Sequence, residues 1–116
     1  MTIKRIEAGK RMSQAVVHNG TVYLAGQVAL EAPGKSVAEQ TTAVLARIDR
    51  FLAEAGTDKT KLLSATIWLV DMSKFEEMNA VWDAWVAPGA APARATVESK
   101  LAAPQFAVEI GVIAAL

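Results

Sequence analysis

An α+β domain, with two helices on one face of a mixed β-sheet, is the fold class this sequence predicts, and three observations carry the prediction. Two segments repeat apolar residues at helical spacing behind capping residues. An Asn-Gly pair separates two strand-like runs near the N-terminus, and three later runs are apolar, β-branched or alternating. With 116 residues and neither a linker, a low-complexity segment nor an internal repeat, residues 1–116 form a single domain with one core.

In chain order, Ser13–His18 and Thr21–Ala25 flank Asn19-Gly20. Asn and Gly tolerate the positive φ angles of a type I′ turn, so the pair predicts a hairpin. Ala32-Pro33-Gly34 marks a loop. Ser36-Val37-Ala38-Glu39 then reads as a capping box, and Val37, Thr41, Val44, Leu45, Ile48, Leu52 and Ala55 follow at three- and four-residue steps. Gly56 supplies the C-terminal stop of that amphipathic helix. Leu62–Val70 contains Thr66-Ile67-Trp68-Leu69-Val70, too apolar and β-branched for an exposed segment, and is expected as a central strand. Ser73-Lys74-Phe75-Glu76 predicts a second capping box. It would open a helix to about Val86 with Phe75, Met78, Trp82 and Trp85 on its inner stripe.

After the Pro88–Pro92 loop two strands close the chain. In Ala93–Glu98, strand alternation sends Ala95 and Val97 one way and Arg94, Thr96 and Glu98 the other. In Phe106–Ala114, Phe106, Val108, Ile110 and Val112 share one face, while Ala107, Glu109, Gly111 and Ile113 share the opposite one. The order is β-β-β, helix, β, helix, β-β. Two helices cover only one face of such a sheet. The other, expected to carry Arg94, Thr96, Glu98 and Glu109 among apolar residues, would be buried against copies of the chain, which predicts an oligomer with polar subunit clefts.

Composition narrows the function classes. Apolar residues make up 53% of the chain and charged residues 21%, the balance of a globular domain. Twelve Lys and Arg offset twelve Asp and Glu, so there is no basic excess to favour nucleic acid. The absence of cysteine removes disulfides and thiolate metal sites. No apolar run is long enough to span a bilayer and no signal-like apolar region opens the chain, so a cytoplasmic location with no membrane contact is expected.

Arg94 is the leading candidate for chemistry. Its planar, permanently charged guanidinium matches a carboxylate, unless it is consumed in a structural salt bridge with Glu98 or Glu109. Glu109, between Val108 and Ile110, must be paired, hydrogen-bonded or protonated. Poised between burial and a nearby arginine, it could orient water and shuttle a proton. Glu98 reads as structural. Asn79 stands about 40° from Phe75 around the second helix at 100° per residue, bordering the inner stripe. Its amide suits a loop tie as well as a ligand. His18 stands alone at the hairpin edge, so no metal site is expected. No serine sits in a nucleophile elbow, and Gly26-Gln27 lacks a phosphate-binding glycine pattern, so no cofactor is expected either.

Several segments resemble the reactive-intermediate deaminase family, the RidA/YjgF group also described as endoribonuclease L-PSP-like. They are Gly20–Gln27, Ala55-Gly56, Val70-Asp71-Met72, Met78–Trp82, Ala91–Glu98 and Leu101–Pro104 with Val108-Glu109-Ile110. The Pro92-Ala93-Arg94-Ala95-Thr96-Val97-Glu98 strand followed by Val108-Glu109-Ile110 is the specific part of the resemblance, which runs from about residue 11 to the C-terminus. It implies a chorismate-mutase-like α+β fold and a homotrimer with active sites between subunits. It further implies hydrolysis of 2-aminoacrylate and related 2-imino acids to 2-oxo acids and ammonia, a detoxification of reactive metabolites. In that pattern Arg94 binds the substrate carboxylate, Glu109 handles water, Asn79 contacts substrate, and Gly26 and Thr96 offer backbone N–H groups. Thr96 replaces the cysteine of many members. Met12 and Ser13, in the substrate-facing wall, occupy a stretch where many members have a tyrosine. Two other readings remain at this point: a ribonuclease or translation inhibitor, and a non-catalytic small-ligand-binding or holdase-like oligomer.

Overall fold

The computed structural model describes residues 2–116. Four strands come first: β1 (Lys4–Ile6), β2 (Ala15–His18), β3 (Thr21–Leu24) and the two-residue β4 (Gln27–Val28). Then follow α1 (Val37–Ala55), β5 (Leu62–Leu69), α2 (Phe75–Trp85), β6 (Ala93–Glu98) and β7 (Val108–Ala115), with short 3₁₀ turns at Lys59–Lys61 and Met72–Lys74. The expected α+β order holds, with β4 as an addition. All strands join one mixed sheet in the order β1-β2-β3-β7-β5-β6, and β4 pairs with β7 beside β3. Only β5 and β6 run parallel, which is why they need the α2 crossover between them.

The local signals explain these bounds. Asn19 and Gly20 adopt φ of 54° and 79°, the mirror-image turn that joins β2 to β3. At the start of α1 the Ser36 hydroxyl accepts from the Glu39 N–H at 3.1 Å. The reciprocal half of the expected box is altered, because the Glu39 carboxylate accepts from the Ser36 hydroxyl rather than from backbone. Another of the helix's orphan donors, Ala38 N–H, is taken by the Glu77 carboxylate of α2 at 2.9 Å. Gly56 ends α1 at φ 90°, with its N–H on Ala53 O and Thr57 N–H on Leu52 O. Both carbonyls are thereby satisfied in a left-handed turn that a Cβ would strain. Gly56→Ala is expected to lower stability by about 1 kcal/mol, read as a shift in the urea midpoint.

The entry to α2 corrects the sequence reading. Ser73 does not form a capping box; it lies inside the 3₁₀ turn that Asp71 caps, the Asp71 carboxylate accepting from Ser73 N–H at 2.9 Å. Lys74 occupies the N-cap of α2 with no side-chain bond. The hydrogen bonds from Ser73 hold the Asp71 carboxyl below its ordinary value. Its contribution to the turn is therefore complete above the usual carboxylate range and is lost only as pH falls through that lowered value.

The core lies between the helices and one sheet face. Val44, Leu45, Ile48, Phe51 and Leu52 of α1 and Met78 and Trp82 of α2 pack over Val22, Ile67, Leu69, Val108 and Ile110. Burial of each such side chain contributes about 1.5–3 kcal/mol before entropy is charged against it. Gln40 joins this layer. Its amide donates to Gln105 O at 3.0 Å and accepts from Ala107 N–H at 2.8 Å, clamping the chain as it enters β7. The opposite sheet face has no helix over it. Trp68, Val97, Ile113, Tyr23 and Val16 lie there by strand alternation and register, and Tyr23 and Val97 are 47% and 44% exposed.

Candidate functional site

The candidate residues fall into two groups on opposite faces of the sheet. In the parallel pair, Arg94 stands beside Ala65, Thr96 beside Ile67 and Glu98 beside Leu69. Ala65, Ile67 and Leu69 all face the core, so Arg94, Thr96 and Glu98 lie on the helix side. The expectation that they share the helix-free face with Glu109 is therefore overturned. The Arg94 guanidinium carbon sits 5.3 Å from the ring centre of Trp82 and 5.8 Å from that of Phe75, both on α2. The physical reason is position. β6 is an edge strand, so a long side chain can lay its apolar stem under the helix while its head reaches the rim.

Around Arg94 the polar groups are short of partners. The single ion pair among the described residues is Arg47 with Glu31 at 2.7 Å, so Arg94 is held by neither Glu98 nor Glu109. Glu98 instead accepts from Met72 N–H at 2.9 Å, a structural tie between β6 and the entry to α2. Asn79 lies one turn from Phe75 and three residues before Trp82, on the stripe that borders Arg94. The buried Asn79 Oδ1 and Thr96 Oγ1 find no hydrogen-bond partner among the described residues. Such orphans are few in folded proteins, and two beside an unpaired guanidinium mark a place built for more than packing. The β6 backbone adds to this. Ser99 N–H donates to Leu69 O at 3.0 Å, so by alternation the N–H groups of Arg94 and Thr96 point away from β5, to the free edge.

The second group gathers on the helix-free face. Glu109 pairs with Trp68 and Val28 across the sheet, and its carboxylate folds over Gly26. A Cβ placed on Gly26 would overlap Glu109 Oε2 and lie 2.9 Å from its Cδ. A Cβ on Gly111 would meet the Trp68 ring at 3.5 Å. The two glycines thus make room for a depression of about 190 Å³ next to Glu109, lined by Gly26, Ser64, Thr66, Trp68, Gly111 and Ile113 among others. Half-buried Ser13 and exposed Met12 precede Gln14, whose carbonyl accepts from Ala25 N–H at 2.9 Å and so ties that segment to the Gly26 turn. Gly26→Ala should leave stability within about 1 kcal/mol, because the displaced atoms are the free end of a side chain. It would swing the Glu109 carboxylate away. A Tm within several degrees of the parent protein, with the Glu109 carboxyl resonance displaced, is the expected result.

The structure therefore brings Arg94, Asn79 and Thr96 together, and Gly26 with Glu109, but separates the two sets within one chain. Sequence reasoning missed the aromatic flanks of Arg94 as part of its setting, and it missed two buried glutamines. Gln40 was legible, since it falls at i+3 from Val37 on the inner stripe of α1. Gln27, 2% exposed, carried no such signal in a two-residue strand.

The sequence and the α+β fold have counterparts among known proteins. The family described as endoribonuclease L-PSP matches residues 2–116. A RutC family protein of Escherichia coli, YoaB, is 45% identical over 116 residues, covering all of both chains. One from Haemophilus ducreyi is 45% identical over 114 residues, 98% of this chain and 97% of the relative. The crystal structure of a YjgF family member from Neisseria meningitidis superposes with a TM-score of 0.95 at 50% identity, over 99% of this chain and 95% of that one. The chain belongs to the endoribonuclease L-PSP family, whose members also carry the RutC and YjgF names.

Proposed function

We propose that this protein hydrolyses small 2-enamino and 2-imino acids, of the 2-aminoacrylate and 2-iminopropanoate kind, to 2-oxo acids and ammonia. The observation that carries this reading is the Arg94 guanidinium, flanked by Trp82 and Phe75, free of any carboxylate of its own chain, and bordered by the unpaired Asn79 Oδ1 and Thr96 Oγ1. A partly desolvated fork of this kind suits a small carboxylate.

Glu109 enters from a neighbouring copy. A carboxylate on the helix-free face does not reach around the sheet to the Arg94 of its own chain, whereas a second protomer packed on the apolar helix-free face can offer it. A homotrimer with three such shared clefts is the assembly proposed. The enamine takes a proton at its terminal carbon and gives one up from its nitrogen, becoming the imine with its carboxylate on Arg94. Water adds to the C=N carbon and gives its proton to Glu109. Glu109 passes that proton to the nitrogen, completing the carbinolamine; the hydroxyl proton then moves to the nitrogen as the C–N bond breaks, ammonia leaves and the C=O bond forms. The reaction needs positioning and proton transfer and no cofactor.

The test couples the purified protein to a dehydratase or amino-acid oxidase that releases imines, trapping the residual imine as its semicarbazone. Faster loss of the trapped species with added protein supports the reading, and an unchanged rate overturns it. RNA incubated with the same preparation is the matched control for the endoribonuclease in the family's description. The exposed basic residues Lys4, Arg5, Lys10 and Arg11 have no aromatic residue among them to stack bases, which favours the imine over RNA.

A further inference from the structure

We infer that Gln27 is a positioning residue that turns the Gly26 N–H toward the helix-free depression beside Glu109. Gln27 is 2% exposed, stands opposite the fully buried Ile110 and is bonded to Arg47 of α1, so its side chain lies on the helix side of the sheet. All of its hydrogen-bonding groups are engaged. Nε2 donates to Gln14 Oε1 at 2.9 Å and to Ala25 O at 3.1 Å, and Oε1 accepts from Arg47 Nε at 3.0 Å. Those partners fix which end of the amide is which, since only the nitrogen serves two acceptors and only the oxygen serves a guanidinium.

The consequence runs through one peptide plane. The Ala25 carbonyl is drawn to the helix side by Gln27 Nε2. The peptide is trans, so the Gly26 N–H on its other edge points the opposite way, to the helix-free side. An independent observation agrees. Gly111 pairs with Thr66 of the helix-free face, and a Cβ built on Gly111 would lie 3.7 Å from Gly26 N. The Gly26 N–H has no backbone acceptor among the described residues and adjoins the Glu109 carboxylate group. It is therefore a donor held ready on the floor of the depression. The same amide holds Gln14, so the wall that carries Met12 and Ser13 and the Gly26 donor are set by one buried side chain.

The kinetic consequence rests on the proposed imine hydrolysis, whereas the peptide orientation does not, and the experiment separates them. Carbonyl-13C alanine combined with 15N glycine marks only Ala8-Gly9, Ala25-Gly26 and Ala55-Gly56, so the Gly26 amide is read directly in the intact oligomer. Gln27→Met removes both donors and the acceptor. Gln27→Glu keeps an acceptor for Arg47 and loses only the donors, which covers the case where the first variant fails to assemble. Both are expected to displace the ligand-free Gly26 resonance while the Gly9 and Gly56 resonances stay in place. Both should raise KM by about tenfold or more with a smaller change in kcat, as expected when a positioned donor is turned away. A variant that was merely less well folded would lower kcat through the active fraction and leave KM alone. A Gly26 resonance identical in wild type and both variants, or an unchanged KM, overturns the proposal. If the wild type itself does not speed imine loss, the catalytic reading falls, and the Gly26 resonance still decides the orientation.

Discussion

Arg94→Ala is expected to remove nearly all acceleration of imine hydrolysis while the oligomer stays assembled. A bidentate guanidinium–carboxylate contact in a partly desolvated place supplies about 1.5–3 kcal/mol per charged hydrogen bond. Loss of both bonds corresponds to roughly a 10²- to 10⁴-fold fall in kcat/KM, at about 1.4 kcal/mol per tenfold. The fold should feel far less. Arg94 makes no ion pair, and its contacts with Trp82 and Phe75 amount to about 0.5–1 kcal/mol of cation–π attraction. Arg94→Lys keeps the charge and loses the fork, so it should recover little. The measurement is semicarbazone-trapped imine decay beside a sedimentation profile. Wild-type decay in Arg94→Ala, with the assembly intact, would remove this arginine from the chemistry.

Two inactive proteins should rescue one another. Glu109→Gln removes the proton acceptor and Arg94→Ala removes the carboxylate clamp, each from a different sheet face. If every cleft takes its arginine from one copy and its glutamate from the next, refolding the two variants together in equal amounts rebuilds intact clefts. Random mixing in a closed ring gives an intact cleft in about one quarter of cases, so about a quarter of wild-type activity should return. A cleft made within one chain would give no recovery, because no chain then carries both groups. Absence of activity in the mixture, with exchange of subunits verified by mass, would sink the shared-cleft arrangement.

The extent of α1 was legible because its ends are local chemistry: a serine that accepts from the backbone at one end and a glycine at positive φ at the other. The hairpin at Asn19-Gly20 was legible for the same reason. The alternation in β6 was also read correctly, with Arg94, Thr96 and Glu98 on one side and Ala95 and Val97 on the other. Which side faced the helices was not legible. Pattern alone assigns the apolar side to the core, yet here Ala95 and Val97 look out over the helix-free face and the polar side lies under α2. That inversion is tolerable only on an edge strand beneath aromatic residues, a long-range circumstance that no window of sequence reports. The start of α2 was misread for a related reason, since Asp71 and Glu98, one of them 26 residues from the N–H it accepts, do the capping assigned to Ser73.

β6 ends the sheet, and its outward N–H and C=O groups are the kind of margin on which foreign strands can add without limit. The segment carries Arg94 and Glu98 within it and Lys100 just beyond, spaced so that an extended neighbour would have to lie along alternating charge. Retaining a guanidinium there discourages runaway stacking between molecules, so solubility and the substrate capture proposed for Arg94 ask for the same residue. Neutralising it would then show up as turbidity at high concentration as well as lost turnover.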